Sequence, residues 1–157
     1  MLEEFIIRKM TIEDIPEIYT KLHMKYVEKY CRNEVEQRWK EYETWYKFIL
    51  NSPYFEMYII RNKNDEFVAT IKFEINSCRA IINIYIDEKM RNQGLAPKII
   101  EKSIEKLLEN RELKWIDAYI LKENDKSIYI FKKLGFEYKK NANYNGVRHM
   151  IYRKKLK

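Results

Sequence analysis

The chain has 157 residues, a hydrophobic fraction of 46% and a formal net charge of +7. This length and composition are typical of one globular domain with one core, which we expect over residues 1–157. They exclude a disordered chain, which lacks the apolar surface that would offset its conformational entropy. No apolar run approaches the ~20 residues that span a bilayer, so no membrane partner is expected.

The N-terminal segment Met1–Glu4 is acidic, and no signal-type apolar stretch follows it. Two cysteines, Cys31 and Cys78, fit a reducing compartment and have no neighbours at metal-ligand spacing. These features predict a cytoplasmic protein without a metal site. The basic charge favours polyanions, which include nucleic acids, anionic lipids and phosphorylated small molecules.

The N-terminal third predicts a strand followed by two helices. The strand covers residues 5–8, and the first helix begins near Thr11 to Asp14, with Pro16 in its first turn. The second helix covers residues 34–50 and ends before Pro53. The expected buried stripes are Ile15, Ile18, Tyr19, Leu22 and Tyr26 in the first helix, and Val35, Trp39, Tyr42, Tyr46 and Ile49 in the second.

The middle of the chain predicts a hairpin of strands 56–61 and 67–75, then a strand over 80–86. A turn around Gly94 leads into an amphipathic helix, whose expected buried residues are Ile99, Ile100, Ile104, Leu107 and Leu108. A strand over 115–121 should pair in parallel with strand 80–86.

The C-terminal part predicts a short helix over 124–134, with Gly135 at its left-handed C-terminal position. Strands 136–140 and 147–153 form a closing hairpin around Asn145-Gly146. The fold class is therefore α/β: a mixed, mostly antiparallel sheet flanked by about four helices, with one parallel β-α-β unit.

The segment Arg91-Asn92-Gln93-Gly94-Leu95-Ala96 joins a strand to a helix. Free N–H groups and the positive end of the helix dipole make such a turn suitable for an anion. Gly94 and Ala96 allow close approach, and Arg91 can add a charge. The turn lacks the Gly-Lys-Ser/Thr of a P-loop and the glycines of a dinucleotide fingerprint. By itself it is equally compatible with an ordinary strand-to-helix connection.

A second segment, from Asn124 to Phe136, would by itself be a short helix capped by Asn124 and Gly135. Together the two segments resemble the GNAT N-acetyltransferase superfamily. The family's cofactor motif matches Arg91-x-x-Gly94-x-Ala96, and its downstream motif matches Asn124, Ser127, Phe131 and Gly135-Phe136. The order of elements from residue 5 to 153 agrees as well.

The resemblance implies an enzyme that binds acetyl-CoA as co-substrate and transfers its acetyl group to a primary amine by direct attack in a ternary complex. The cofactor residues it implies are Ile84, Tyr85, Ile86, Arg91, Asn92, Gln93, Gly94, Leu95, Ala96, Asn124, Ser127 and Phe131. Lys89, Lys98 and Lys126 are candidate partners of the outer phosphate. Many relatives carry a proton-donating tyrosine where this chain has Phe131, so water, another tyrosine or no general acid must serve here.

The general base is not marked by a motif. Glu74, at the end of a strand beside the expected cleft, and Tyr85, beside the reactive end of the cofactor, are the predicted catalytic residues. Glu56, His23 and His149 are weaker candidates, because nothing in their spacing requires such a role.

Residues 20–55 are rich in aromatic side chains that could line an acceptor pocket. Trp45-Tyr46-Lys47-Phe48-Ile49-Leu50 with Tyr58-Ile59-Ile60 is similar to enzymes that N-acetylate nucleotide-linked amino sugars. A small amine such as an amino sugar is therefore one acceptor, and a protein N-terminus or lysine is another. A nucleic-acid module or a non-catalytic acyl-CoA binder stays open, although no nucleic-acid partner is expected because the charges are dispersed. A free strand edge is compatible with a homodimer.

Overall fold

A computed structural model describes residues 5–156, and the segment Met1–Glu4 lies outside it. Within this range the chain forms seven strands and five α-helices. The strands are β1 (Phe5–Lys9), β2 (Phe55–Asn62), β3 (Phe67–Asn76), β4 (Arg79–Ile86), β5 (Trp115–Ile120), β6 (Glu137–Tyr144) and β7 (Val147–Lys155). The helices are α1 (Ile15–Leu22), α2 (Met24–Tyr30), α3 (Val35–Asn51), α4 (Ala96–Leu108) and α5 (Asp125–Lys133).

All seven strands join one sheet in the order β1-β2-β3-β4-β5-β7-β6. The pairing of β4 with β5 is parallel, and every other neighbouring pair is antiparallel. This confirms the predicted fold class, because parallel pairing requires a crossover, which α4 provides between β4 and β5.

Helices cover both faces of the sheet, and each face has its own core. On one face, Ile99, Ile100 and Leu107 of α4 and Phe131 of α5 pack on strand residues that include Phe73. On the other face, α1 and α3 contribute a second cluster, whose buried members are Met10, Ile15, Ile18, Tyr46, Ile49, Met57, Ile59 and Phe67. Alternating strand residues therefore point toward different helices.

The region between β1 and β2 differs from the prediction, because three helices form instead of two. The backbone leaves the helical region at His23, which separates α1 from α2. Tyr26 consequently falls out of phase with the buried stripe and is 59% exposed. Val35, at the first turn of α3, and Leu108, at the last turn of α4, are also exposed because they lie beyond the covered part of the sheet.

The closing hairpin is longer than predicted, since β6 and β7 pair from Glu137–Arg153 to Tyr144–Val147. Its turn has positive φ at both Asn145 (51°) and Gly146 (79°), as a two-residue turn of type I′ requires. This turn folds β7 back along β6, and β7 in turn pairs with β5.

Candidate functional site

The sheet opens between β4 and β5. Their paired steps run from Arg79–Trp115 to Ile82–Ala118, but β4 continues to Ile86 and β5 to Ile120. The outer edge of β4 beyond Ile82 therefore has no neighbouring strand, whereas its other edge stays paired with β3 up to Ile86. The divergence exposes backbone polar groups that need a partner.

A cavity of about 690 Å³ fills this opening and extends to the start of α4 and α5. Its lining includes every predicted cofactor residue except Gln93, whose side chain instead donates to the carbonyl of Lys89. The residues that sequence reasoning missed are mostly apolar helix and turn positions: Met90, Pro97, Ile100, Tyr129, Ile130 and Lys133. Met90 and Pro97 directly adjoin the Arg91–Ala96 motif, and the others lie within two turns of motif residues on α4 and α5.

The turn before α4 forms one end of the cavity. Asn92 and Gly94 have positive φ, of 62° and 72°, and a Cβ added at Gly94 would meet nothing within 4 Å. Within residues 5–156, the N–H groups of residues 92–96 find no hydrogen-bond acceptor. These donors, together with the dipole of α4, form an open cradle for an anion.

Basic side chains surround this cradle. Arg91 donates through Nε to the carbonyl of Ile86 at 2.8 Å, which holds the end of β4 against the turn. Lys126 donates to Oδ1 of Asn92 and joins the start of α5 to the same turn. Lys133 also lines the cavity, whereas Lys89 and Lys98 are not among its lining residues. The two sequence segments therefore meet at one cationic pocket.

The start of α5 provides the other wall. Asn124 caps the helix, because its Oδ1 accepts from the N–H of Ser127 at 3.2 Å. Phe131 is 5% exposed and packs edge-on against Phe136 with ring centroids 5.0 Å apart. The wall is therefore apolar and closely packed at Phe131. The Phe131 side chain has no proton to donate.

Polar side chains gather at the base of the opening, on the α1–α3 face of the sheet. Glu74 of β3 and Asn83 of β4 both influence the Tyr144 phenol, which the closing hairpin brings to them. Burial is the main reason that the pKa of Tyr144 is raised, and the Glu74 carboxylate adds to this effect. Tyr119 stacks beside Tyr144 with centroids 4.6 Å apart. Glu74 was predicted, but Tyr144 was missed because only the hairpin pairing places it there.

The other predicted residues lie elsewhere or are engaged. The Tyr85 hydroxyl donates to the carbonyl of Lys21 at 3.0 Å, and burial raises its pKa. Its catalytic role stays a prediction. Glu56 is buried between Arg111 and Lys9; burial opposes its ionisation, but these two bonds outweigh it and lower the pKa of the carboxyl. This arrangement is that of a structural ion pair.

The two histidines have different surroundings. His23 stacks on Tyr42 with centroids 4.0 Å apart and lies 2.6 Å from the Tyr46 hydroxyl through Nε2. Burial, with a smaller contribution from Lys72, lowers the pKa of His23 to about 4. His149 contacts Tyr144 and Tyr119 edge-on and is bonded through Nδ1 to the carbonyl of Val147. His149 therefore belongs to the polar cluster at the base of the opening.

The family model of the acetyltransferase (GNAT) domain matches residues 4–137, which include β1 to α5 and the whole cavity. The chain belongs to the GNAT acetyltransferase family. GNAT proteins are N-acetyltransferases, and the matched range includes both the Arg91–Ala96 turn and α5. No protein among curated sequences matches this chain at the sequence level.

Solved GNAT structures share the fold at low sequence identity. A spermidine N-acetyltransferase SpeG chimaera from Vibrio cholerae is 16% identical over 96% of this chain and 95% of its own, with a TM-score of 0.79. The Vibrio cholerae enzyme in complex with CoA and spermine is 17% identical over 95% and 92%, with a TM-score of 0.76. AAC(6')-Ib with ribostamycin and coenzyme A is 16% identical over 98% and 94%, with a TM-score of 0.79.

Two further observations concern the described range only. No helix of residues 5–156 is long and apolar enough to cross a membrane. The same residues contain no group of three or more His, Cys, Asp or Glu side chains placed to hold a metal ion.

Proposed function

We propose that this GNAT protein transfers the acetyl group of acetyl-CoA to a primary amine by direct attack in a ternary complex. The observation that carries the proposal is the unpaired outer edge of β4, which leads from an anion cradle at one end to a cluster of polar side chains at the other. Such a channel suits a long ligand with phosphates at one end and a reactive group at the other.

The chain's own groups fit coenzyme A. The free N–H groups of residues 92–96 and the charge of Lys126 suit its pyrophosphate and outer phosphate. The free edge of Ile84 to Ile86 suits the amides of its pantetheine arm, as an added strand would pair. Asn124 and Phe131 line the same cavity. Bound acetyl-CoA supplies an activated thioester.

The acceptor amine must lose a proton before or during attack, since amines are mostly protonated near neutral pH. Glu74 is the proposed base, because its carboxylate lies on the acceptor face of the sheet at the base of the opening. Tyr144 neighbours it, and its raised pKa favours the protonated phenol. Tyr144 is the tyrosine that we propose as proton donor, because Phe131 has no hydroxyl. Positioning both reactants provides much of the remaining rate.

A small molecule such as an amino sugar is the proposed acceptor. Half-exposed aromatic side chains on α3, including Trp45 and Phe48, suit stacking against a sugar ring. Acetylation of a protein N-terminus or lysine is the alternative within the same chemistry. Loss of catalysis with retained acyl-CoA binding is favoured by one observation, the absence of a hydroxyl on Phe131.

The cytoplasm is the proposed location, and a homodimer is the proposed assembly. The strand β6 supports the homodimer, because it forms an exposed edge of the sheet with nearly every residue accessible. An exposed edge strand can pair with a strand of another chain.

A thiol-release assay with a panel of amines tests the function. We expect millimolar acetyl-CoA to raise the melting temperature and at least one small amine to accelerate release of free CoA. An unchanged melting temperature would contradict cofactor binding. A raised melting temperature without turnover of small amines, peptides or lysine would favour the non-catalytic binder.

A further inference from the structure

Lys72 lies in the middle of β3 and points toward α3 rather than into bulk water. Its Nζ lies 5.7 Å from the ring centroid of Trp45 and 6.0 Å from that of Phe55. Its pKa is lowered, chiefly by burial, which the more distant Glu74 partly opposes. Lys72 is therefore a partly desolvated cation held against aromatic rings.

This partly buried lysine has no ion-pair partner in the part of the chain that the structure describes. Among residues 5–156, no carboxylate oxygen lies within 4.0 Å of Lys72 Nζ. By contrast, Arg111 and Arg153 lie 2.8 Å and 2.7 Å from buried carboxylates, and Lys21 lies 3.5 Å from Asp87. A charge that is buried without a partner costs free energy, which an anionic ligand would recover.

The position of Lys72 relates it to the acceptor side of the opening. It pairs across the sheet with Asn83, the first residue of β4 beyond the last step paired with β5. Glu74 is two residues further along β3 on the same face, so the two Cα atoms are about 6–7 Å apart. A cation and a carboxylate thus lie side by side on the face opposite α4 and α5.

The aromatic side chains beside Lys72 are accessible from solvent. Trp45 is 41% exposed and stacks with Phe48, which is 54% exposed. His23 contributes no second cation near neutral pH, since its pKa is about 4. Lys72 is consequently the cation that a ligand on this aromatic wall would meet.

We propose that the acceptor is a small amine that also carries an anionic group, a carboxylate or a phosphate, and that Lys72 binds this group while Glu74 receives the ammonium. This inference rests on the proposed acetyltransferase function. It specifies an acceptor unlike a polyamine, because a polyamine would place a second cation beside Lys72.

Matched amines test the proposal. Glucosamine 6-phosphate is compared with glucosamine, γ-aminobutyrate with butylamine, and spermidine serves as the polycation. We expect kcat/KM to be at least about tenfold higher for the anionic member of one pair, since hydrogen bonds between charged groups are stronger than neutral ones. A higher kcat/KM for glucosamine 6-phosphate than for glucosamine indicates a phosphate, and a higher value for γ-aminobutyrate than for butylamine indicates a carboxylate.

Variants locate the effect. Lys72→Gln should abolish the preference through KM with little change in kcat, and Lys72→Glu should shift it toward spermidine. Lys63→Gln, in the exposed turn between β2 and β3, is the matched control and should keep the wild-type ratio. A purely structural lysine would instead lower the melting temperature of Lys72→Gln without altering the ratio.

Two outcomes overturn the proposal: a wild-type preference for amines that lack an anionic group, spermidine included, or an unchanged ratio in Lys72→Gln. If no amine is acetylated, binding decides. The melting temperature of the CoA complex should then rise with glucosamine 6-phosphate or γ-aminobutyrate in the wild type but not in Lys72→Gln, and no rise with either overturns the inference. The shift caused by acetyl-CoA itself tests cofactor binding separately.

Discussion

Ile82 and Ala118 form the last paired step between β4 and β5. Beyond this step, β4 keeps β3 as its partner, and residues 84–86 line the cavity. The position of this step determines where the channel begins, and hence which side chains lie at its base. Asn83 and Tyr119 directly follow it, and Tyr144 packs on Tyr119.

Gly94→Trp should abolish acetyl-CoA binding while the fold is retained, because a side chain at this position enters the open space of the cradle. Isothermal titration measures the affinity. Gly146→Trp is the matched control, since Gly146 also has positive φ and open space but lies in the β6–β7 turn. Both variants carry the same left-handed backbone strain, about 1–2 kcal/mol. Equal affinity of the Gly94 variant and the wild type would contradict the site.

Lys126→Gln should weaken CoA binding about fivefold to tenfold, with a smaller effect on 3′-dephospho-CoA, because its charge lies at the cradle beside Asn92. The difference between the two ligands should shrink at high salt, which screens exposed charges. Lys122→Gln, an exposed residue just before α5, is the control. Identical losses for both ligands would place Lys126 at the pyrophosphate instead.

Glu74→Gln should lower kcat about a hundredfold and leave acetyl-CoA binding unchanged, since loss of a general base costs about two to four orders of magnitude. Tyr144→Phe should lower kcat less, because the carboxylate remains. Steady-state kinetics with a responsive amine give both values. Tyr138→Phe, on the same hairpin but half-exposed, should behave as the wild type. A Glu74 variant with full activity would show that water or another group takes the proton.

His23 should make the folded state less stable in acid. Its folded pKa of about 4 lies below the ordinary 6.5, so the unfolded chain binds the proton first as pH falls. Its contribution to stability is fully present above pH 6.5 and is lost progressively between 6.5 and 4. His23→Gln should therefore show a flatter dependence of melting temperature on pH in this window, with His149→Gln as the control. Parallel curves for the wild type and His23→Gln would contradict the assignment.

Much of the fold follows from local patterns in the sequence. The apolar period of Ile99, Ile100, Ile104 and Leu107 predicted α4, and Asn145-Gly146 predicted the final turn, because both signals act within a few residues. The cavity lining followed from two motifs that lie about 30 residues apart. Lys126 bonded to Asn92 is the contact that joins them.

The acceptor side could not be predicted in the same way. Tyr144 reaches Glu74 only through the order of β3, β4, β5, β7 and β6, which no local pattern encodes. The break between α1 and α2 at His23 was also missed, since the apolar spacing continues through it. No sequence pattern singles out Lys72. Its contact with Trp45 of α3 arises only from the packing of α3 on the sheet.

The two helical layers separate the proposed cofactor site from the proposed acceptor site, so each can be changed by mutation on its own. The proposed cofactor end of the channel is lined by α4 and α5, whereas the proposed acceptor wall is built by α1, α3 and the closing hairpin. Substitutions on one layer have few direct neighbours on the other, so their effects on binding should be nearly additive. Related proteins could therefore acquire new acceptor amines while keeping the same acetyl donor. Laboratory evolution toward new acceptors would best be confined to α3 and the β6–β7 hairpin.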